Sequence, residues 1–343
     1  TATAVAAQSG AVLTVASDGS ADHDTITAAI EAAGDGDTIR IAPGTYAESL
    51  RIEKDITLSG EGDRGDVVVV LDTKPETSYD GPWGPLDVAV VFEDAEAAVE
   101  RLSFEQTYME AGLVWVVGGE VDFTDVAFVG NDVVLWGGEP SFTDSTIDAY
   151  FAVREGASPT VSDSEIVQHA SIDGPGRTII RGSTLRDGTS ASAEATGAYE
   201  DNHFIGGPLE VDTGSDMLVQ GNLVEGVEGG AAILVHFPET TAHIVGNTVR
   251  DSRIGIAVDT DAPGSAIEGN AITGVRIGIH VDSDSPIRVA DNVIEDARTA
   301  GIVLEGDGAS VVDNAICGSG TGLDIRTGSP SILSNDICAE LEP

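Results

Sequence analysis

The chain has 343 residues, with 16 Lys and Arg against 59 Asp and Glu, a formal charge of −43. So acidic a surface repels phosphate backbones and anionic lipid heads, which excludes nucleic acid and bare membrane as partners. A hydrophobic content of 41% excludes disorder, 42 glycines with 5% aromatics favour short strands over long helices, and no apolar run is long enough for a membrane-spanning helix.

Residues 1–22 read as an N-terminal arm and residues 23–343 as one continuous body. Asp24 is placed to cap a short helix over residues 25–33 (TITAAIEAA), whose apolar residues recur at helical spacing. Gly34-Asp35-Gly36-Asp37 ends it. Residues 38–42 (TIRIA) and 56–60 (ITLSG) read as strands, with a turn at Pro43-Gly44 between them. A polar-faced helix here would plug the open end of a stack of coils. The run from Thr25 to Gly62 resembles the opening segment of pectin-lyase-like right-handed parallel β-helix proteins, pectinesterases in particular. That resemblance implies an all-β, single-stranded right-handed parallel β-helix, a solenoid of three short strands per coil behind a capping α-helix. It leaves function open, because such folds serve lyases, hydrolases, esterases, epimerases, adhesins and inactive scaffolds.

A Pro/Gly-rich stretch, residues 72–87, interrupts the early coils as a loop insertion. It carries Tyr79 and Trp83, aromatics of the type that stack on sugars and sit on exposed loops. The catalytic segments of pectinesterases are absent, apart from a partial echo at Gly119-Glu120-Val121-Asp122-Phe123, where Asp122 keeps register with Ser141 and Thr160 as a strand residue would. The Asp-Pro-His motif of alginate epimerases and the acidic clusters of polygalacturonases are missing too. Trp115 keeps register with Val134 and Val153 and reads as core; the sense of Trp136 is not fixed by the pattern.

From Ser145 a register emerges. Ser145, Ser164 and Ser183 lie 19 residues apart, Asn202 follows after 19, and Asn222, Asn247, Asn270, Asn292, Asn314 and Asn335 follow at 20, 25, 23, 22, 22 and 21. A period near 22 with short apolar strands means stacked coils. Asn tolerates left-handed backbone and can bond its equivalent in the next coil, so the series reads as an internal turn ladder. These coils resemble the generic parallel β-helix repeat and the NosD-like periplasmic copper-maturation group. Arg154, His169, Asp173, Arg177, Arg181 and Arg186 concentrate bases in a chain poor in them. Two readings stand for that cluster: local salt bridges, or a binding side for an acidic sugar, with Arg154 and His169 as contacts.

The register also yields columns. Ile233, Ile256, Ile279, Ile302 and Leu323 align inward, as do Val235, Val258, Val281, Leu304 and Ile325. Alternation then turns two columns outward: Leu234, Ala257, His280, Val303, Asp324, and His236, Asp259, Asp282, Glu305, Arg326. The second column is either a solvated acidic wall or a site. As a site, Asp259, Asp282, Glu305 and His280 would supply acid–base chemistry, the three carboxylates would suit calcium, and His236 and Arg326 would contact substrate. Cys317 and Cys338 occupy equivalent places three residues after Asn314 and Asn335, as a disulfide or as stacked thiols. The disulfide would place the chain in an extracellular, periplasmic or cell-surface setting.

Three functions follow. The first is an extracellular β-helix scaffold or binding module for polysaccharide, with no required cofactor. The second is a carbohydrate-active lyase or hydrolase using the acidic column, and the third a structural or adhesive segment of a larger surface protein. A further domain or partner at the C-terminal end is part of this expectation, since no cap is evident there.

Overall fold

The computed structural model describes residues 10–75, 78–81 and 84–338. Its chain forms two compact units, residues 1–150 and 151–343. In both, short β-branched and aliphatic strands separated by Gly, Asp and Asn turns pair in parallel with their counterparts one coil later, so that each coil adds three strands.

In the first unit one face stacks Val12–Val15, Thr38–Ile41, Thr57–Gly60, Glu96–Glu100, Glu120–Thr124 and Ser141–Thr143. Val12–Val15 lies within the segment read as an arm, yet it pairs with Thr38–Ile41 in register and opens the stack. Inward phenylalanines fill this unit. Phe92, Phe104, Phe123, Phe128 and Phe142 are fully buried and touch ring to ring, with Phe123 and Phe142 stacked at 4.8 Å. Asp122 stands on a strand face, in register with Ser141, which donates a hydrogen bond to it.

The capping helix α1 runs Ile26–Ala32 and buries Ile26, Ala29 and Ile30. Its N-cap is Thr25, whose hydroxyl accepts from Ala28 N at 3.1 Å, rather than Asp24. Both helix ends are clamped from one neighbouring segment. Glu48 accepts from Ile26 N and Thr27 N at the start, and Lys54 Nζ donates to the carbonyls of Ile30, Glu31 and Ala33 at the end. Each charge opposes the helix dipole and satisfies groups that a free helix end would leave unbonded.

The insertion folds as an antiparallel pair, Tyr79–Gly81 with Gly84–Leu86. Trp115 is buried, at 6% exposure, as its register predicts, though from the outer side of its strand. It stands in register with Val91 and Val134, and Val91 pairs with the exposed Arg51. That column faces outward, and the Tyr79 ring, at 6.4 Å, helps to cover it. Trp115 Nε1 donates to Asp132 Oδ1 at 3.2 Å, and burial raises the Asp132 pKa. Trp136 is half-buried in register with Val117.

The second unit contains the Asn ladder. Asn202, Asn222, Asn247, Asn270, Asn292 and Asn314 are buried. Each carboxamide oxygen from Asn222 to Asn335 accepts from the backbone N and side-chain Nδ2 of the Asn one coil earlier, at 2.8–3.1 Å. The left-handed residue is not the Asn, however, but the one before it. Asp201, Gly221, Gly246, Gly269, Asp291, Asp313 and Ser334 have φ between 54° and 67°, which explains why all but the last Asn of the ladder follow Gly or Asp. Cys317 and Cys338 are joined by a disulfide, Cα–Cα 4.8 Å, across the last two coils. The last described coil exposes Ile325, Ile332, Leu333 and Ile337.

Candidate functional site

In the second unit the third strand of each coil ends where the chain leaves the core for a turn. The inward residues just before that point are Val153, Ile172, Ala191, Val211, Val235, Val258, Val281, Leu304 and Ile325, paired coil to coil. The next residue in each coil therefore forms a second column: Arg154, Asp173, Ser192, Asp212, His236, Asp259, Asp282, Glu305, Arg326. Parallel strands stack ~4.8 Å apart, so the column runs about 40 Å. Beside it a parallel outward column reads Ala152, Ser171, Ser190, Glu210, Leu234, Ala257, His280, Val303, Asp324. Ala257 and Val303 are buried even so, and His280 sits in register between them with its side chain 19% exposed.

Side chains of the two columns interlock. Arg154 lies 2.5 Å from Asp173, and Asp173 accepts from the hydroxyls of Ser171 and Ser192. His169 places Nδ1 3.2 Å from the Asp187 carbonyl and Nε2 3.2 Å from Ser190 Oγ. His236 Nε2 approaches Asp212 Oδ2 to 3.5 Å, within ion-pair reach but not aligned as a hydrogen bond, and its ring packs on Phe237 at 4.4 Å. Then comes the densest group. His280 Nδ1 is 3.4 Å from Asp259 Oδ1 and Nε2 is 3.4 Å from Glu305 Oε1, one carboxylate from the preceding coil and one from the following coil. Arg326 reaches Glu305 at 2.9 Å and Asp324 at 3.2 Å.

The hydrogen bond to Asp259 raises the His280 pKa above its usual 6.5; burial opposes the shift and Glu305 adds to it. Both ring nitrogens face carboxylates, which is the arrangement an imidazolium satisfies with two N–H donors. The group can hold or release a proton beside exposed carboxylates, Asp259 and Asp282.

The residues singled out from the sequence thus fall in different places. Arg154, His169, His236, Asp259, His280, Asp282, Glu305 and Arg326 share one face of the second unit. Of the basic cluster, Arg154, His169 and Asp173 meet the acidic column in one strip, whereas Arg177 and Arg181 stand on a strand of the other sheet and Arg186 pairs with Glu165. Tyr79 belongs to the first unit and is not an exposed sugar platform: it is 8% exposed, held between Trp115 and the Arg51 guanidinium at 5.6 Å. Trp83 lies outside the described residues. Among the described residues no three His, Cys, Asp or Glu side chains are grouped as a metal site requires. Asp259, Asp282 and Glu305 stack in register but do not converge, because Asp259 and Glu305 turn toward His280 and Glu305 is shared with Arg326.

Sequence reasoning missed Asp212 and Ser192; the Arg154–Asp173 pair is one of the local salt bridges it allowed for. It also missed a file of carboxylates in the following turn. Asp261 accepts from Asp284 N and Ser285 N, Asp284 from Asp307 N, and Asp307 from Ser329 N. Their shared spacing of 23 residues, two positions beyond Asp259, Asp282 and Glu305, was the available signal.

Residues 172–337 match the family model for the right handed beta helix region. This stretch is a right-handed β-helix. Among solved structures, the β-helix is similar to the A-module of a mannuronan C-5 epimerase from Azotobacter vinelandii, at 15% identity over 92% of this chain and 94% of that one, TM-score 0.56. It is similar to tailspike protein 3 of bacteriophage CBA120, at 11% identity over 90% of this chain and 57% of that one, TM-score 0.57. It is also similar to the catalytic domain of a GH87 α-1,3-glucanase, at 13% identity over 87% and 64%, TM-score 0.54. At such identities the likeness is one of fold. No curated protein matches the chain. No helix among the described residues is long and apolar enough to cross a membrane.

Proposed function

We propose that this chain is a binding module for an extended polysaccharide, which lies along the strip from Arg154 to Arg326. The observation that supports this reading is the strip itself. Paired, registered hydrogen-bonding groups repeat at the coil spacing along a rigid face, a match for a polymer rather than for a compact ligand. Solved structures of the same fold are named for polysaccharide chemistry, an epimerase and a glucanase among them. The Cys317–Cys338 disulfide supports an extracellular, periplasmic or cell-surface setting.

The Asp259–His280–Glu305 group favours a second reading, a lyase or hydrolase in which His280 and a carboxylate exchange protons with the sugar. One experiment separates the two. The chain is incubated with alginate, polygalacturonate, α-glucan and β-glucan, with and without calcium. Bound fraction, reducing ends and the ultraviolet absorbance of unsaturated uronate are then measured. Binding without new chain ends, weakened at least tenfold by Asp259→Asn with Asp282→Asn, is the expected outcome. New ends that vanish in His280→Ala establish the enzyme reading, and no binding to any polymer overturns both. Only a calcium-dependent gain in binding that is lost in the Asp259→Asn with Asp282→Asn variant would assign the metal to the acidic column.

A further inference from the structure

The first unit departs from the coil repeat at two elements, the capping helix α1 and the antiparallel insertion. A cleft opens on each side of the segment that links them. The larger, about 550 Å³, is lined by Thr27, Glu31, Ser49, Arg51, Glu53 and Lys54. A second, about 310 Å³, runs from Ser49 past Asp72 and Thr73 to Lys74. A small recess between Ser49, Arg51 and Tyr79 adjoins both through shared residues. Lys54 and Lys74, the only lysines of the chain, both lie here.

Three features make this a built cleft. One wall is rigid, because Glu48 and Lys54 clamp both ends of α1. The opposite side is held by Tyr79 against Trp115 with Arg51 over its ring. The walls are the irregular elements of this unit, and insertions in coil repeats tend to carry binding surfaces.

The lining chemistry selects the ligand. The cations are engaged within the protein: Lys54 on carbonyls of the helix end, Lys74 on Asp87 at 3.0 Å, Arg51 on Glu53 and Glu93 at 2.5 Å. Glu31 and Glu53 line the larger cleft and Asp72 the second. An anionic sugar would bring its charge against these carboxylates. A neutral one finds strong acceptors in the carboxylates and donors in the Ser49 and Thr73 hydroxyls. We infer that the cleft between α1 and the insertion is a separate binding site for a neutral saccharide of one or two hexose units, independent of the strip in the second unit.

The test is calorimetric titration of the full chain with cellobiose, laminaribiose, maltose and digalacturonate. The variants are Ser49→Trp, which fills the point common to all three spaces, Glu31→Gln, whose carboxylate bonds nothing in the fold described above, and His280→Gln in the second unit. Saturable binding of at least one neutral disaccharide is expected, weakened at least tenfold by Ser49→Trp and severalfold by Glu31→Gln, unchanged by His280→Gln. Circular dichroism and melting temperature confirm that each variant is folded, and Glu31→Gln carries the test if Ser49→Trp is not. The inference is overturned by no saturable binding of any neutral disaccharide, by tighter binding of digalacturonate, by loss of binding in His280→Gln, or by binding that survives both first-unit variants.

Discussion

At the scale of single residues, His280 is the most informative side chain. It lies in register with Ala257 and Val303, apolar neighbours that disfavour its charge, while Asp259 and Glu305 more than restore it. NMR titration of the His280 ring is expected to give a pKa above 6.5, moved down by Asp259→Asn and, less strongly, by Glu305→Gln; a value at or below 6.5 in the parent chain would break the account. The linkage has a definite sign. Because the folded pKa lies above the unfolded one, the stabilisation by His280 is complete below the unfolded value and fades as pH rises through the folded value. Glu225 has the opposite sign. Arg250 first, and His203 second, hold its pKa below the usual carboxylate value, so its contribution is present above the unfolded value and fades as pH falls through the folded one.

At the scale of elements, the Asn ladder and the helix clamp are where sequence and structure meet most directly. Asn270 accepts from Asn247 N and Nδ2 and donates to Asn292 and to the Ile244 carbonyl, all in a buried turn. Asn270→Ala leaves two buried donors without acceptors at ~1–3 kcal/mol each, so a loss of about 2–6 kcal/mol is expected in chemical denaturation. Lys54→Met removes one charge and three bonds from the end of α1, an expected loss of about 1–2 kcal/mol, with amide exchange accelerated in residues 26–33. The ladder was legible because its residues recur in a fixed turn and therefore print a period. The left-handed Gly, Asp or, at Asn335, Ser before each Asn was visible in the same letters, but only the backbone shows which of the two adopts positive φ. The strip was legible only in part. From Ser192 to Asp212 the interval is 20, then 24 to His236 and 23 to Asp259. Extra residues enter the intervening turns without disturbing strand pairing, so a fixed period loses the column there. The burial of Tyr79 against Trp115 was not legible at all, because an insertion outside the repeat prints no period and its packing is set by tertiary contact.

At the scale of the whole molecule, charge dominates. Register stacks like charges at the coil spacing, as in Asp282 over Glu305, and paired cations offset only some of them in a chain of formal charge −43. At about 5 Å two exposed carboxylates repel by somewhat under 1 kcal/mol in bulk water, and by more where neighbouring protein lowers the local dielectric. Repeated along the columns, such terms weigh on a net stability of only ~5–15 kcal/mol. The Debye length shrinks from ~30 Å at 0.01 M salt to ~3 Å at 1 M, so added salt removes most of the repulsion while leaving apolar burial and the buried Asn ladder intact. Attractive surface pairs such as Arg288–Glu268 weaken as well, but 16 cations cannot balance 59 acids, so the net effect of screening is stabilising. The melting temperature is therefore expected to rise steeply from low salt toward molar KCl. Choline chloride, whose bulky cation screens but coordinates carboxylates poorly, should reproduce most of the rise. A melting temperature that is flat or falls with KCl would contradict this account, and a rise with KCl alone would mean that carboxylates bind the cation directly.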